Sequence, residues 1–327
     1  MYHPSTIEKN ITISERDMAP GRYQLGWVAM TSTAADFASW FARGPLLTDG
    51  AWGTELQARG LAPGACPDAW NRDRADAVAA VAEAYVAAGA GAILTNTFGA
   101  NRVVLANHGL AEQAAALSRA GAMISRAAAG TRAKVIASIG PSGKVLATED
   151  ISREELYACF AEQAQALAEG GADALLCETF AELAEAEIAV RAAVATGLPV
   201  IASMTYSAGK ALDRTPFGTT PEQAAAALAA AGASAIGANC GLGCDQLLPL
   251  IPRLRAAGLP VWIKPNAGAP TLVNGEVFYP TSPANFAAAA RILASSGAAF
   301  VGGCCGTGPA HILALAAAGF QSARAKA

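Results

Sequence analysis

The chain has 327 residues, of which 53% are hydrophobic and 15% charged, and its formal net charge is −3. This length fits either two ordinary domains or one α/β barrel, with a large buried core in both cases. The mildly acidic balance and the lack of basic runs argue against nucleic acid as the main partner. No apolar stretch is long enough to span a membrane, and the polar start MYHPSTIEKNITISERD has no secretory h-region. We therefore expect a cytoplasmic protein with no membrane partner.

Residues 1–44 precede the first regular pattern of the chain. Residues 1–30 have no clear period, so an arm, an oligomer contact and disorder all stay open for them. The segment TAADFASW is predicted to form a short helix that covers the bottom of the following domain. We therefore treat 1–44 as an N-terminal extension and 45–327 as one domain.

From about residue 45 onward, short apolar runs alternate eight times with alanine-rich amphipathic stretches. The runs predict buried strands and the stretches predict helices. Eight such units in about 270 residues predict a single (β/α)₈ TIM barrel, with an open doubly wound sheet as the alternative. The predicted strands are 46–50, 92–98, 134–141, 174–180, 199–206, 234–241, 260–268 and 299–306.

The predicted helices carry recognisable start and stop signals. Ser152 followed by Glu155 predicts a capping box at a helix start. Several helices end in glycine, which suits a left-handed C-cap. The clearest of them are ADAVAAVAEAYVAAG, SREELYACFAEQAQALAEGG, EQAAAALAAAG and PANFAAAARILASSG.

In a barrel, the carboxyl ends of the strands share one face, and the active sites of this fold lie there. Two carboxylates and three thiols would therefore converge on one mouth. Because strands six and eight are near neighbours in a barrel, Cys240 is expected to meet Cys304 and Cys305 across the rim. The residues predicted at this face are Asp49, Asn96, Thr97, Glu178, Tyr206, Cys240, Asn266, Cys304 and Cys305.

Three converging thiols predict a metal centre. Three thiolates leave one position of a tetrahedral Zn²⁺ ion open, and soft sulfur ligands favour zinc over magnesium or calcium. The glycines beside Cys304 and Cys305 allow the sharp turn that adjacent ligands need. We therefore predict Zn²⁺ on Cys240, Cys304 and Cys305, and we interpret the other four cysteines as small buried side chains.

Seven segments, in order along the chain, resemble the homocysteine-binding zinc methyltransferase family: LLTDGAWGTELQARG, ILTNTFGAN, IGPSGK, LLCETFAELAEAE, IGANCGLG, IKPNAGAP and VGGCCGTGPAHI. The combination of GANC with GGCCGT is the most specific part of this resemblance. The family includes betaine-homocysteine methyltransferase, enzymes that use S-methylmethionine, and the homocysteine module of cobalamin-dependent methionine synthase. The resemblance implies a methyltransferase that forms methionine from homocysteine.

The resemblance also implies roles for residues at the predicted mouth. Asp49 and Glu178 would bind the amino group of homocysteine, and backbone amides near Gly50 and Ala51 would hold its carboxylate. The open metal position would take the homocysteine sulfur, and Asn266 would fill that position before the substrate arrives. The substrate-binding candidates are therefore Asp49, Gly50, Ala51, Glu178 and, from its place at a strand end, Asn96.

The sequence leaves two methyl donors open. A small onium donor such as betaine gains from aromatic faces, which Trp52, Phe98 and Tyr206 near the strand ends could supply. The other donor is a methylcobalamin protein, because GLGCDQLLPLIPRLR and VWIKPNAGAP look more like the methionine-synthase branch. The chain ends soon after the predicted barrel, and its three histidines form no cobalamin ligand motif. We therefore expect any corrinoid to come from a separate protein.

Other interpretations also stay open. Lys264 ends the seventh predicted strand, where it could form a Schiff base in an aldolase-like reaction or simply an ion pair. The chain could also act only with partner proteins, as the homocysteine-activating subunit of a split methionine synthase. The sequence does not decide whether the protein forms a homo-oligomer.

Overall fold

The computed structural model describes residues 34–241, 243–273 and 276–320. Within these ranges, eight strands form one parallel sheet with the order β1-β10-β7-β6-β5-β4-β3-β2. The strands are β1 (Leu46–Leu47), β2 (Ala92–Ile93), β3 (Lys134–Ile139), β4 (Ala174–Phe180), β5 (Val200–Met204), β6 (Ala235–Asn239), β7 (Val261–Lys264), β8 (Thr271–Val273), β9 (Glu276–Phe278) and β10 (Phe300–Val301).

The two ends of this strand order meet. Thr48, just after β1, forms a parallel bridge with Ala92 of β2. The N–H of Gly91 also donates to the carbonyl oxygen of Leu47 at 2.8 Å. The sheet therefore closes on itself as the predicted (β/α)₈ TIM barrel, and the alternative of an open sheet is wrong.

Helices alternate with the barrel strands and cover the outside of the sheet. Short 3₁₀ turns at Ala111–Gln113 and Leu146–Thr148 interrupt two of the connections. The α-helices of the described ranges are α1 (Ala34–Ser39), α2 (Gly53–Gln57), α3 (Trp70–Asp73), α4 (Ala75–Ala87), α5 (Arg102–Ala106), α6 (Ala114–Ala129), α7 (Arg153–Glu169), α8 (Leu183–Val194), α9 (Pro221–Ala230), α10 (Cys244–Leu247), α11 (Leu250–Arg255), α12 (Pro283–Ser295) and α13 (Pro309–Ala317).

The predicted helix signals are confirmed. Ser152 and Glu155 form a reciprocal capping box at the start of α7, in which the Ser152 hydroxyl accepts from the Glu155 N–H at 3.1 Å. The glycines at the ends of the four clearest helices have φ values between +92° and +104°, as left-handed caps require. These glycines are Gly89, Gly171, Gly232 and Gly297.

Aromatic rings close the amino end of the barrel. Phe37 of α1 stacks on Phe300, the first residue of β10, with the ring centroids 5.6 Å apart. Phe41 meets Phe300 edge-on at 5.1 Å, and Trp262 of β7 lies 5.5 Å from it. The helix α1 thus lies within the predicted segment TAADFASW and packs against this end. Residues 1–33 of the N-terminal extension lie outside the described residues.

A hairpin extends the connection between β7 and α12. Its strands β8 and β9 are antiparallel, with Leu272 opposite Val277. Leu272, Val277 and Phe278 are 76%, 60% and 53% exposed. Because the hairpin follows the carboxyl end of β7, it belongs to the mouth of the barrel. None of the helices in the described ranges combines the length and apolar character needed to cross a bilayer.

Candidate active site at the carboxyl ends of the strands

Three thiols come together at the mouth, as predicted. Cys240 follows β6, whereas Cys304 and Cys305 follow β10, and the three sulfur atoms all lie within 4.8 Å of one another. The Cys305 sulfur is 4.0 Å from each of the other two sulfurs. Three sulfurs on one tetrahedral zinc ion, at about 2.3 Å each, would be about 3.8 Å apart. The cluster therefore has the spacing of a metal site, and no second group of this kind occurs among the described residues.

The loop that carries Cys304 and Cys305 is fixed by the strands beside it. The N–H of Cys304 donates to the carbonyl oxygen of Pro265 at 2.8 Å. Its own carbonyl accepts from the Thr307 hydroxyl at 2.6 Å. Gly306 has φ +79°, and a Cβ on it would lie 2.1 Å from Cγ of Tyr279. Only glycine therefore permits this turn, which presents two adjacent thiols to one point.

Cys240 and Asn266 complete this part of the site. Cys240 has φ +62°, a conformation that is uncommon for residues other than glycine and that clusters at functional sites. The amide nitrogen of Asn266 donates to the Gly241 carbonyl at 3.2 Å, whereas its buried Oδ1 atom has no hydrogen-bond partner among the described residues. Buried polar atoms without a partner are rare, and a bound metal ion would satisfy this one. Three thiolates and one amide oxygen would fit a Zn²⁺ ion.

The three thiols shift the pKa values of one another. Hydrogen bonds from Cys304 and Cys305 lower the pKa of the Cys240 thiol. The same contact with Cys240 raises the pKa of Cys304, and it raises that of Cys305 to about 11. The contacts among the three thiols therefore favour loss of the proton from Cys240 before the other two. Metal binding would release the protons that remain on the thiols, so metal affinity should increase with pH.

A buried ion pair lies beside the thiols. Asp49 has no exposed surface, and Lys264 is 2% exposed. The Lys264 ammonium donates to Oδ1 of Asp49 at 2.6 Å. The indole N–H of Trp52 and the backbone N–H of Leu94 donate to Oδ2 at 2.8 and 2.6 Å. Lys264 thus forms the ion pair that was one of its two predicted roles.

Glu178 provides the second carboxylate of the mouth. It is 7% exposed and accepts a hydrogen bond from the Ser138 hydroxyl at 2.5 Å. Burial raises the pKa of Glu178, although the Lys264 charge and the Ser138 hydrogen bond oppose this effect. A carboxylate has about four acceptor positions, so Glu178 can bind a further donor.

The other substrate-binding candidates are already engaged. The N–H of Ala51 donates to the carbonyl oxygen of Thr307 at 2.9 Å. A Cβ on Gly50 would lie 2.7 Å from the same oxygen, so this backbone is closely packed. The amide nitrogen of Asn96 donates to Oδ1 of Asn71 at 3.0 Å. A ligand at these positions would have to share or replace existing hydrogen bonds.

The three aromatic candidates lie in different environments. Trp52 is buried, and its N–H binds the ion pair described above. Tyr206 is 1% exposed, and the charges that act on its hydroxyl are those of Arg253 and Glu222 on the outer helices. Phe98 is 44% exposed. Of these three residues, Phe98 presents an exposed ring.

Two residues of this face were not predicted. The phenol of Tyr279 faces the Cys305 sulfur, and burial together with the thiols raises its pKa to about 12. Asn239, the last residue of β6, is completely buried and binds Thr179 and Ser203. Tyr279 lies in a loop without a periodic pattern, so no signal marked it. Asn239 belongs to the GANC motif, and a polar side chain at the end of a buried strand requires partners.

A closed barrel with three thiols, a carboxylate and an ion pair at its mouth defines a TIM-barrel enzyme built around a thiol cluster that can hold a metal. The family model for homocysteine S-methyltransferase matches residues 46–319. The chain therefore belongs to the homocysteine S-methyltransferase family, whose members are methyltransferase enzymes.

Two similar proteins are mycobacterial methionine synthases. The methionine synthase of Mycobacterium tuberculosis (strain ATCC 25618 / H37Rv) is 35% identical over 296 residues, which are 84% of this chain and 24% of the relative. That of Mycobacterium leprae (strain TN) is 33% identical over 306 residues, which are 86% and 25%. The chain thus spans about a quarter of the length of these relatives.

The fold is also similar to solved structures of the homocysteine methyltransferase MmuM from Escherichia coli. The oxidized form has a TM-score of 0.69 and 28% identity, with 84% of this chain and 95% of MmuM covered. The metallated form has a TM-score of 0.68 at the same identity, with 84% and 96% covered. The likeness therefore extends over nearly all of MmuM.

Proposed function

We propose that the protein is a zinc-dependent homocysteine S-methyltransferase that forms methionine. The observation that carries this proposal is the cluster of three sulfur atoms within 4.8 Å at the barrel mouth, next to two buried carboxylates. The family assignment and the similarity to a metallated homocysteine methyltransferase support it. In this proposal homocysteine is the methyl acceptor, and its sulfur is the nucleophile.

We assign the metal to Cys240, Cys304 and Cys305, with Asn266 as the fourth ligand before substrate binds. When bound, Zn²⁺ supplies a Lewis acid that removes the proton of a thiol at neutral pH and fixes the position of its sulfur. The three cysteines contribute three negative charges, which keep electron density on the substrate sulfur. The Asn266 oxygen is neutral and has no hydrogen-bond partner in the described part of the chain, so it would be available as a ligand that the substrate sulfur could replace.

The carboxylates select an α-amino acid. Glu178 and Asp49 receive the substrate ammonium through charge-assisted hydrogen bonds. Because Asp49 already accepts from Lys264, Glu178 is the acceptor with more free capacity. The backbone near Gly50 and Ala51 holds the substrate carboxylate, which replaces the bond from Ala51 to Thr307. Asn96 stays a candidate for the same pocket.

The donor in this proposal is betaine or another small onium compound. The onium group would bind near Trp52, Phe98 and Tyr206, and the exposed ring of Phe98 is the part of this set that is open to a ligand. We also assign the enzyme to the cytoplasm, because none of the seven cysteines forms a disulfide bond and a reducing compartment keeps thiols reduced.

A second candidate is a homocysteine-activating subunit that takes the methyl group from a separate methylcobalamin protein. Two observations favour it: the relatives named methionine synthase are about four times as long as the matched segment, and the β8–β9 hairpin exposes apolar side chains at the mouth. A docking protein would cover such side chains.

One experiment tests the proposal and separates the donors. Zinc-loaded protein is incubated with L-homocysteine and, in separate reactions, betaine, dimethylsulfoniopropionate, S-methylmethionine or free methylcobalamin, and methionine is quantified. We expect methionine with one onium donor. We expect Cys304→Ala to lose both zinc and activity, whereas Cys159→Ala, which changes a buried cysteine of α7, keeps both.

The outcomes of this experiment are distinct. A wild-type protein that binds no zinc, or a Cys304→Ala variant that stays active, contradicts the proposal. Binding of zinc and homocysteine without methionine from any onium donor favours the second candidate.

A further inference from the structure

Two strained residues flank the predicted substrate pocket. Thr179, which follows Glu178, has φ +64°, and Cys240 of the thiol cluster has φ +62°. The left-handed conformation is uncommon for any residue with a Cβ and is an outlier for a β-branched one such as threonine. Such conformations persist where surrounding contacts hold them. The contacts that hold Thr179 therefore also help to fix the position of its neighbour Glu178.

Thr179 lies in a β-bulge of β4. Cys177 and Phe180 are three positions apart, yet their pairing partners on β5 are only two positions apart. A bulge leaves one residue without its normal ladder partner and re-aims the neighbouring side chain. In this bulge the neighbour is Glu178, the proposed ammonium acceptor.

Asn239 supplies the hydrogen-bond partners that Thr179 lacks in the bulge. Its Oδ1 atom accepts from the Thr179 N–H at 3.0 Å and from the Ser203 hydroxyl at 2.6 Å. Its amide nitrogen donates to the Thr179 hydroxyl at 2.7 Å. Because Ser203 lies on β5, the Asn239 side chain reaches from β6 across β5 to the end of β4. The residue after Asn239 is Cys240.

We propose that Asn239 is a positioning residue that sets Glu178 relative to Cys240 and thereby gives the site its preference for thiols with an α-amino group. This inference rests on the proposed function. Besides its carboxylate, homocysteine would be held by its sulfur at the thiol cluster and by its ammonium at Glu178. Binding at two points requires the two groups to be placed within about 0.5 Å. A thiol without an amino group makes no contact with Glu178 and does not depend on this placement.

The test compares L-homocysteine with 4-mercaptobutanoate, the same molecule without its amino group. Binding of each thiol to the zinc-loaded protein is measured by calorimetry. We expect the wild type to prefer homocysteine about 10- to 100-fold, the range for hydrogen bonds to a charged group. We expect Asn239→Ala to lower this preference about tenfold, with unchanged zinc content and nearly unchanged affinity for 4-mercaptobutanoate. Faster hydrogen exchange at the Thr179 amide is the matching structural readout.

Three further variants separate positioning from general destabilisation. Asn101→Ala removes another completely buried asparagine, one that caps α5 by accepting from the Val104 N–H at 2.9 Å, and should keep the preference. In a Thr179→Gly background, glycine adopts the left-handed conformation without help, so Asn239→Ala should cost less there. If Asn239→Ala does not fold, Ser203→Ala removes one hydrogen bond of the clamp and should give a smaller loss in the same direction.

Several results would overturn the inference. The first is a preference for homocysteine that is retained within about twofold in Asn239→Ala or, if that variant does not fold, in Ser203→Ala. The second is an equal loss of this preference in Asn101→Ala. The third is loss of zinc in Asn239→Ala, which would mean that Asn239 supports the thiols instead. A wild type that binds both thiols equally has no amino-group preference and overturns the inference, whereas the proposed function is decided separately by zinc binding and methionine formation.

Discussion

The two ends of the barrel are built from opposite kinds of side chain. At the amino end, the rings of Phe37, Phe41 and Phe300 pack together. At the carboxyl end, buried charged and polar groups surround the thiols. The ends meet at Trp262, whose ring lies 5.5 Å from that of Phe300 and 5.7 Å from the Lys264 ammonium.

The aromatic amino end therefore contributes mainly to stability, and the polar mouth contributes mainly to the chemistry of the site. Burying aromatic rings contributes to stability in proportion to the apolar area removed from water. Burying charged groups costs free energy that hydrogen bonds and ion pairs only partly offset. We therefore expect changes at the amino end to alter the free energy of unfolding without altering the site. Changes at the mouth should alter binding, pH dependence or the pairing of buried charges.

Phe300→Ala should give the largest effect on folding. Its ring contacts three other aromatic side chains and has no exposed surface, so its loss should lower the free energy of unfolding by about 4 kcal/mol. Urea denaturation measures this change, and the zinc content of the folded variant should stay the same. Phe98→Leu, at a 44% exposed position, is the matched control and should change little. Loss of zinc from folded Phe300→Ala protein would show that the two ends are not separable.

Lys264→Met should destabilise by about 3 kcal/mol, because it leaves Asp49 buried without its counter-ion. Adding Asn at position 49 removes the uncompensated charge, so the double variant Asp49→Asn/Lys264→Met should recover most of the loss. Urea denaturation of the four proteins in this cycle measures the coupling. Equal destabilisation of the single and double variants would contradict the ion-pair account.

Asp68 should make stability depend on pH near the rim of the mouth. Burial raises the pKa of this carboxyl to about 7, and it accepts from the Gly99 N–H at 3.2 Å. The unfolded chain ionises near pH 4, so between about pH 4 and 7 the folded state holds one more proton. The contribution of Asp68 to stability should therefore be largest below about pH 4 and fall by on the order of 1 kcal/mol per pH unit up to about pH 7.

Asp68→Asn is the corresponding variant. It should remove this part of the slope, as measured by urea denaturation at several pH values. A slope between pH 5 and 7 that is the same in the variant and the wild type would contradict the prediction.

Of these variants, Glu178→Gln should change the protein least, because it keeps the shape of the side chain and removes one charge. We expect homocysteine to bind about tenfold more weakly, with little change in the free energy of unfolding, since burying a neutral amide costs less than burying a carboxylate. Calorimetry with zinc-loaded protein measures the affinity. Glu182→Gln, at the start of α8, is the control, and equal weakening in both variants would place the effect outside the proposed ammonium pocket.

The sequence by itself was sufficient to predict the eight barrel strands, the capping box at Ser152 and the meeting of Cys240 with Cys304 and Cys305. These features depend on local patterns: apolar runs, cap residues, and the rule that the carboxyl ends of parallel strands share one face. The last predicted run, 299–306, was longer than β10, because the residues after Val301 leave the ladder to form the thiol loop. The polar and glycine residues at the end of this run therefore predicted the position of the site correctly, but they were not part of the strand.

Only the tertiary structure decided which side chains pair inside the mouth. Lys264 and Asp49 are 215 positions apart, and Asn239 and Thr179 are 60 apart. Neither pair leaves a periodic signal, because each depends on how far one strand is shifted along its neighbours and on a single bulge in β4. Tyr279 reaches Cys305 only because a hairpin returns the chain to the mouth. Closure of the sheet converts these distant positions into one site, since it brings every strand end to the same rim.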